Sequence, residues 1–469
     1  MRGFSIAVLL LALTVQAAET ELPPEVRSAL DIRHVPHDTL SILVVDVATG
    51  ATVLDWRSDE LRNPASTIKL LTTLVALDVL GPAYRWRTDV YADGEIKDGR
   101  LEGDLVLKGY GDPFLVTERV WQLLREIRHA GIREIGGDLL LDDSWFDVGS
   151  YDPGAFDHQP LRAYNVAPNA LLMNFKVVRY WFEPDPRADA VNIWLDPPLD
   201  DIRVRNRLTL AAGSCRGYQR GIAISVNDRI DEVTFSGRFP AACKRYAMDR
   251  TVLSHNRYVH GLFRYLWRES GGTFDGGWRN VVVEQEAAPV LSFRSLPLSE
   301  MIARVNKHSN NVMARQLLYT LGAEVNGAPG TEDSGKAVIS RWLTDNGLES
   351  SSTAIENGAG LSRNTRTTAK DMIAMLQFAW QQPYMPEYLA SMAISGLDGT
   401  LKRRFGNTDL VGKAHLKTGS LDHVTAIAGY LQSRSGRRFA VVALQNYEDI
   451  HRGPGDEVQE ALLRWLYAQ

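Results

Sequence analysis

The sequence predicts an α+β protein, an antiparallel sheet flanked by helices, built from the two ends of the chain with a β-rich region inserted between them. Three observations carry this. Leu40 to Asp46 and Thr52 to Trp56 are strand-like runs around the turn Ala48-Thr49-Gly50. Three further runs lie near the end of the chain. Between about residues 88 and 284, short β-like runs such as Val191 to Leu195 and Ile222 to Val226 alternate with Gly, Asp and Pro turns.

The chain has 469 residues, 45% of them apolar, enough for a substantial core in two or three domains. Its net charge of -5 lacks the basic excess of a nucleic-acid binder, so no nucleic-acid partner is expected. At the start, Arg2, the apolar stretch Phe4 to Val15 and the small residues Ala17 and Ala18 form the three parts of a secretory signal. Residues 1–18 are therefore expected to be removed and the protein to be periplasmic, without a transmembrane anchor. An oxidising compartment favours a bridge between the only two cysteines, Cys215 and Cys243, over two buried thiols.

After the first hairpin, Ser66 to Leu80 is apolar all round, which predicts a buried helix. Helical periodicity returns from Leu298 to Tyr319 and from Thr367 to Trp380, the latter with Asp371 in its first turn. Ala414 to Lys417, Val424 to Leu431 and Arg438 to Gln445 read as successive antiparallel strands. Val458, Ala461, Leu462, Trp465 and Leu466 fall at helical spacing, a docked amphipathic helix with peripheral membrane association as the alternative. There is no internal repeat and no H-E-x-x-H, and neither a metal nor a cofactor is called for.

Three short motifs carry chemistry. Ser66-Thr67-Ile68-Lys69 is the only S-x-x-K in the chain. At i and i+3 on a helix the Lys69 amine reaches the Ser66 hydroxyl, and a lysine held neutral can serve as its base. An N-capping serine beside a solvated lysine is the alternative, since a chain of this size holds roughly one such tetrad by chance. Ser309-Asn310-Asn311 is an S-x-N, a pattern also met at Ser225, Ser254 and Ser362. Ser309 is preferred because it lies in a helical stretch between the insertion and the third motif. That motif, Lys417-Thr418-Gly419 followed by Ser420, sits at the end of a strand-like run. It offers a cation and hydroxyls for a carboxylate, and a glycine that lets a substrate backbone approach.

In this order the three motifs form the signature of serine β-lactamases and penicillin-binding proteins. The long gap between Lys69 and Ser309 contains Gly109-Tyr110-Gly111-Asp112-Pro113 and Tyr164-Asn165-Val166-Ala167-Pro168. With Asn357 to Arg363 and Gly399-Thr400-Leu401, it resembles the class C low-molecular-mass penicillin-binding proteins, which are D-alanyl-D-alanine carboxypeptidases and endopeptidases. The resemblance implies a transpeptidase-like catalytic domain, residues 19–87 plus 285–469, interrupted by accessory region 88–284 of one or two domains.

It also implies roles. Ser66 is the nucleophile, Lys69 its proton acceptor, and Ser309 a relay to the departing amine. Asn311 holds the substrate amide, Lys417 and Thr418 receive the terminal carboxylate, and the backbone N–H groups of Ser66 and Ser420 form the oxyanion hole. The expected partners are peptidoglycan peptides, with β-lactams as inhibitors. Arg363 resembles a family position that contacts the charged end of the diaminopimelate side chain, a surface arginine being the alternative. The chain departs from relatives at Phe156-Asp157-His158-Gln159-Pro160, where a Trp-x-Asp-type segment is usual. A β-lactamase is the runner-up, but E-x-x-L-N and Y-x-N are missing at the places such enzymes carry them. An inactive envelope binding protein and a metal-dependent amidase are the remaining alternatives.

Overall fold

A computed structural model of the chain describes residues 20–217, 221–227, 229, 231–283, 288–348 and 353–469. The expected signal segment lies outside the described residues. A six-stranded antiparallel sheet joins the two ends of the chain in the order Ala393–Ile394, Ala414–Leu421, Val424–Gln432, Arg438–Asn446, Leu40–Asp46, Thr52–Trp56. Period-two alternation gives the sheet two apolar faces. Ile42, Val44, Ile427 and Val441 pack with the first helix, Pro24–Ile32, and the last, Pro454–Ala468. Leu43, Val45, Ala426 and Ala428 face the opposite way, into a core shared with helices Lys69–Leu80, Leu298–His308 and Asn311–Asn326. Val458, Leu462 and Leu466 of the last helix are buried in the first of these cores, so its apolar face is used inside the fold and not free for a membrane surface.

The all-round apolarity of the segment after Ser66 has its cause in this packing, since Lys69 through Leu77 are buried without a break. Two details differ from expectation. Ser66 lies in a 3-10 turn, Ala65–Ile68, and the α-helix proper starts at Lys69. Ser309 does not sit within one continuous helix: it ends Leu298–His308 in the left-handed region (φ 55°), and Asn310 caps the next helix by accepting from Met313 N–H at 3.0 Å.

The inserted region is less purely β than its sequence texture suggests. Its five-stranded sheet runs Trp278–Asn280, Leu139–Asp142, Asp104–Gly109, Arg87–Asp93, Leu291–Arg294, and includes two parallel pairs. Helices Thr117–His129 and His255–Glu269 pack against it, as parallel pairing requires of its crossovers. Inside this unit are nested two three-stranded sheets built from strands between Val178 and Arg250. Cys215 and Cys243 are bridged there, Cα atoms 5.3 Å apart, tying the ends of the parallel neighbours Arg203–Ala211 and Glu232–Pro240. One buried cluster, from Val90 and Leu105 to Phe182 and Phe235, runs through both parts of the insertion.

Candidate active site

Two asparagine side chains, a strained alanine and two glycines present Ser66. Asn63 accepts from Ala65 N–H at 2.8 Å and donates its amide to Ser362 O at 2.9 Å. Asn446 holds Asn63 from the sheet, accepting its N–H at 2.8 Å and donating to its carbonyl at 3.1 Å. Ala65, the residue before Ser66, has φ 45°, a strained choice for a residue with a Cβ. Gly360 and Gly419 close on this turn from two sides: an added Cβ at Gly360 would lie 2.0 Å from Ala65 O, and one at Gly419 2.6 Å from Pro64 O. The glycine of the K-T-G motif thus admits the turn that carries Ser66, whereas the sequence reading gave it to the substrate. Gly360→Ala, at φ 71°, is expected to cost about 2–4 kcal/mol of stability in urea unfolding and to abolish acylation of Ser66.

Lys69 is fully buried, and its amine lies 2.9 Å from Ser66 Oγ, 2.6 Å from Asn311 Oδ1 and in short contact with Ala359 O. A 3-10 turn eclipses positions i and i+3, which brings Ser66 over Lys69. Two of the three neighbours are carbonyl oxygens that only accept. A neutral amine has two N–H groups for them and one lone pair left for the Ser66 hydroxyl. Burial drives the amine well below the usual lysine range, and the positive charges of Lys417 and Arg315 push it further the same way.

Lys417 lies in the middle of Ala414–Leu421, not at a strand end; the turn comes only at Asp422 and His423. Buried and side by side with Ser309, it donates to Ser309 Oγ at 2.9 Å and to Thr418 O at 2.6 Å, and burial lowers it to about 7. The Thr418 hydroxyl donates to that of Thr400 at 2.8 Å. The chain segments of the three motifs therefore converge, Ser66 and Asn311 on Lys69, Ser309 on Lys417. The other S-x-N matches stand elsewhere: Ser225 is in the nested β sheets, Ser254 precedes helix His255–Glu269, and Ser362 Oγ fastens its own loop, accepting from Asn364 and Thr365 N–H at 2.9 Å.

Arg363 is half exposed, stacked over the Phe156 ring at 4.8 Å and paired with Asp422 at 3.2 Å. It borders a hollow of about 280 Å³ that also meets Asn165 and Arg315. Asp157 accepts from Tyr164 OH at 2.6 Å and from Asn165 Nδ2 at 2.8 Å, which fixes the departing Phe156-Asp157 segment beside this hollow. His423, Asp449 and His451 gather beyond the strand, but His451 Nδ1 accepts from His423 N–H and His423 Nδ1 from Asp449 N–H, so these ring nitrogens are used in holding the loop.

Sequence reasoning missed Arg315, Ala359 and the Asn63–Asn446 pair. Arg315 donates to Tyr164 O and Val166 O, both at 3.1 Å, and is buried in helix Asn311–Asn326. Its signal was available: an arginine directly after the apolar run Val312-Met313-Ala314, four residues after Asn311. The Ala359 carbonyl carries no side-chain signal at all.

A buried lysine bonded to a serine hydroxyl, with a second lysine–serine pair on a sheet strand alongside, defines an active-site-serine hydrolase of the penicillin-binding type. The chain belongs to the D-Ala-D-Ala carboxypeptidase 3 (S13) family, whose model matches residues 25–469. It is 28% identical over 94% of its length to the D-alanyl-D-alanine carboxypeptidase of Actinomadura sp., covering 84% of that protein. To the D-alanyl-D-alanine carboxypeptidase DacB of Haemophilus influenzae it is 24% identical, over 87% of this chain and 85% of the other. The fold matches the crystal structure of penicillin binding protein 4 from Haemophilus influenzae with a TM-score of 0.79 at 22% identity, over 95% of this chain and 99% of that one. The transpeptidase/β-lactamase-like fold and the serine-type D-Ala-D-Ala carboxypeptidase class follow. A family acting on the cell wall is consistent with a place outside the cytoplasm, and among the described residues no helix is long and apolar enough to cross a membrane.

Proposed function

We propose that Ser66 attacks the carbonyl of the penultimate D-alanine of a peptidoglycan stem peptide, forming an acyl-enzyme, with Lys69 taking its proton. The observation that carries this reading is the set of Lys69 contacts, two acceptor-only carbonyls and the serine hydroxyl, in a site where burial disfavours the ammonium form. Asn311 Oδ1 is engaged by Lys69, which leaves the Asn311 amide N–H groups for the substrate. Ser309, bonded to Lys417, passes a proton to the departing amine. Lys417 and Thr418 receive the terminal carboxylate. The backbone N–H groups of Ser66 and Ser420 take the oxyanion, a donor of this kind contributing about 3 kcal/mol. Arg363, over Phe156, meets the far end of the stem-peptide side chain. Water then releases the acyl group. A β-lactam acylates the same serine and leaves slowly.

The accessory region expected over 88–284, of one or two domains, we extend to about 294, since Leu291–Arg294 pairs with Arg87–Asp93; the catalytic domain is then 19–87 with 295–469 in place of 285–469. The same reading places the mature protein in the periplasm after loss of residues 1–18.

The test is to incubate the protein with a pentapeptide, a cross-linked muropeptide and a fluorescent penicillin. Expected are free D-alanine from the pentapeptide, cleaved dimer, and a persistent penicillin adduct on the peptide containing Ser66. Rapid penicillin turnover assigns a β-lactamase instead, absence of labelling assigns a binding protein, and loss of activity with a chelator assigns a metal-dependent amidase.

A further inference from the structure

A cavity of about 970 Å³ opens beside Ser309 and Asn311, with the inserted region as its far wall. That is at the top of the range for a drug-sized ligand, about 300–1,000 Å³, and several times what a departing D-alanine fills. Ser309 is the group beside the leaving amine in the reading above, so the cavity lies on the departing side of the scissile bond. A carboxypeptidase that releases only D-alanine has no use for it.

The lining identifies the ligand chemistry. Glu118 and Trp121 stand one turn apart on helix Thr117–His129, and Trp121 keeps 46% of its surface exposed. Asp196, Asp249 and Glu269 add carboxylates, while Arg179 is the one arginine or lysine among the described lining residues and is bonded to Asp249 at 2.7 and 2.9 Å. An excess of carboxylates repels the anionic leaving peptide, but carboxylates are acceptors for hydroxyl and acetamido N–H donors. A half-exposed indole offers an apolar face with a polar edge, suited to the flat C–H face of a pyranose. Asn174 and Phe175 also line the cavity, and with the next residue, Lys176, they form a run with φ of 44°, 54° and 56°. Asn174 Nδ2 fixes this strained run by donating to Tyr258 OH at 2.9 Å.

We propose that this cavity binds the glycan of the strand being released, as neutral N-acetylated hexosamine rings joined to the departing stem peptide. The proposal rests on the Ser66 reading and deepens it to cleavage of glycan-bearing cross-links. Three stem residues reach about 10 Å, comparable with the depth of such a cavity.

The experiment uses two cross-linked peptide dimers, one carrying the disaccharide on the leaving stem and one freed of it, with the full-length protein and its Trp121→Ala and Glu118→Gln variants. Expected is a KM about tenfold higher in the variants for the glycan-bearing dimer alone. The glycan-free dimer, the pentapeptide and the rate of penicillin acylation stay as in the parent. Equal KM changes for both dimers point to the peptide as occupant and overturn the proposal, as does no change for either. Failure of the Ser66 reading looks different, because the parent protein then cleaves neither dimer and takes up no penicillin.

Discussion

Ser66→Ala is expected to lower hydrolysis of a D-alanyl-D-alanine substrate by about 10⁴- to 10⁶-fold, the scale on which nucleophile removal acts in serine hydrolases. The fold should survive. Ser66 is only partly buried, and loss of its hydroxyl leaves Lys69 its contacts to Asn311 and Ala359. The unfolding midpoint in urea is therefore expected to shift by less than about 1 kcal/mol equivalent. Substrate affinity should also persist, because the carboxylate and amide subsites proposed at Lys417, Thr418 and Asn311 are separate from the Ser66 hydroxyl. Single-turnover measurements with the variant, alongside penicillin labelling, separate these effects. A variant that binds peptide but neither cleaves it nor takes the label has lost the nucleophile alone. One that keeps a tenth of parental activity removes Ser66 from the mechanism.

Much of this arrangement was legible before any coordinates, and the reasons differ from element to element. The first hairpin and the last three strands could be read within a residue or two at most boundaries because each alternates or is bounded by turn residues. The buried helix after Ser66 was legible because, after Thr73, Asp78 is the one polar residue in it. The break at Ser309 was not, since the apolar periodicity continues across it and the interruption is one left-handed residue with no glycine to announce it. The extension of the K-T-G strand to Leu421 was hidden by Gly419, read as a turn signal when its role is close approach of strand to turn. Helices in the insertion were underweighted because short strands and turns dominate the local pattern around Thr117–His129 and His255–Glu269. For the site, the motifs supplied the side chains that meet at the two lysines. The supporting partners came from backbone carbonyls and from residues hundreds of positions apart, such as Asn63 and Asn446, for which sequence spacing carries no information.

Lys69→Met should cost nearly as much acylation as loss of the serine, about 10³- to 10⁴-fold, through removal of the proposed base. Stability should change little, because two effects oppose each other. Asn311 Oδ1 and Ala359 O lose their donor, at about 1–3 kcal/mol for each buried group, while the desolvation of a buried amine is relieved. Lys69→Arg distinguishes base from charge: a guanidinium keeps its proton at every accessible pH, so it too is expected to be inactive.

The pH profile of the parent carries the same argument. Below its depressed pKa the Lys69 amine is protonated and has no lone pair for Ser66, so kcat/KM falls as pH drops through that value. On the other side, burial lowers free Lys417 to about 7, and with its proton goes the cation proposed to receive the substrate carboxylate. The alkaline limb of kcat/KM is thus expected near 7, and that of kcat higher, because a bound carboxylate holds the proton on Lys417. A peptide ending in a neutral ester has no carboxylate to be received and should lose this limb. If the ester and the acid share the same alkaline limb, the titrating group lies in the acylation step itself and Lys417 is not its source.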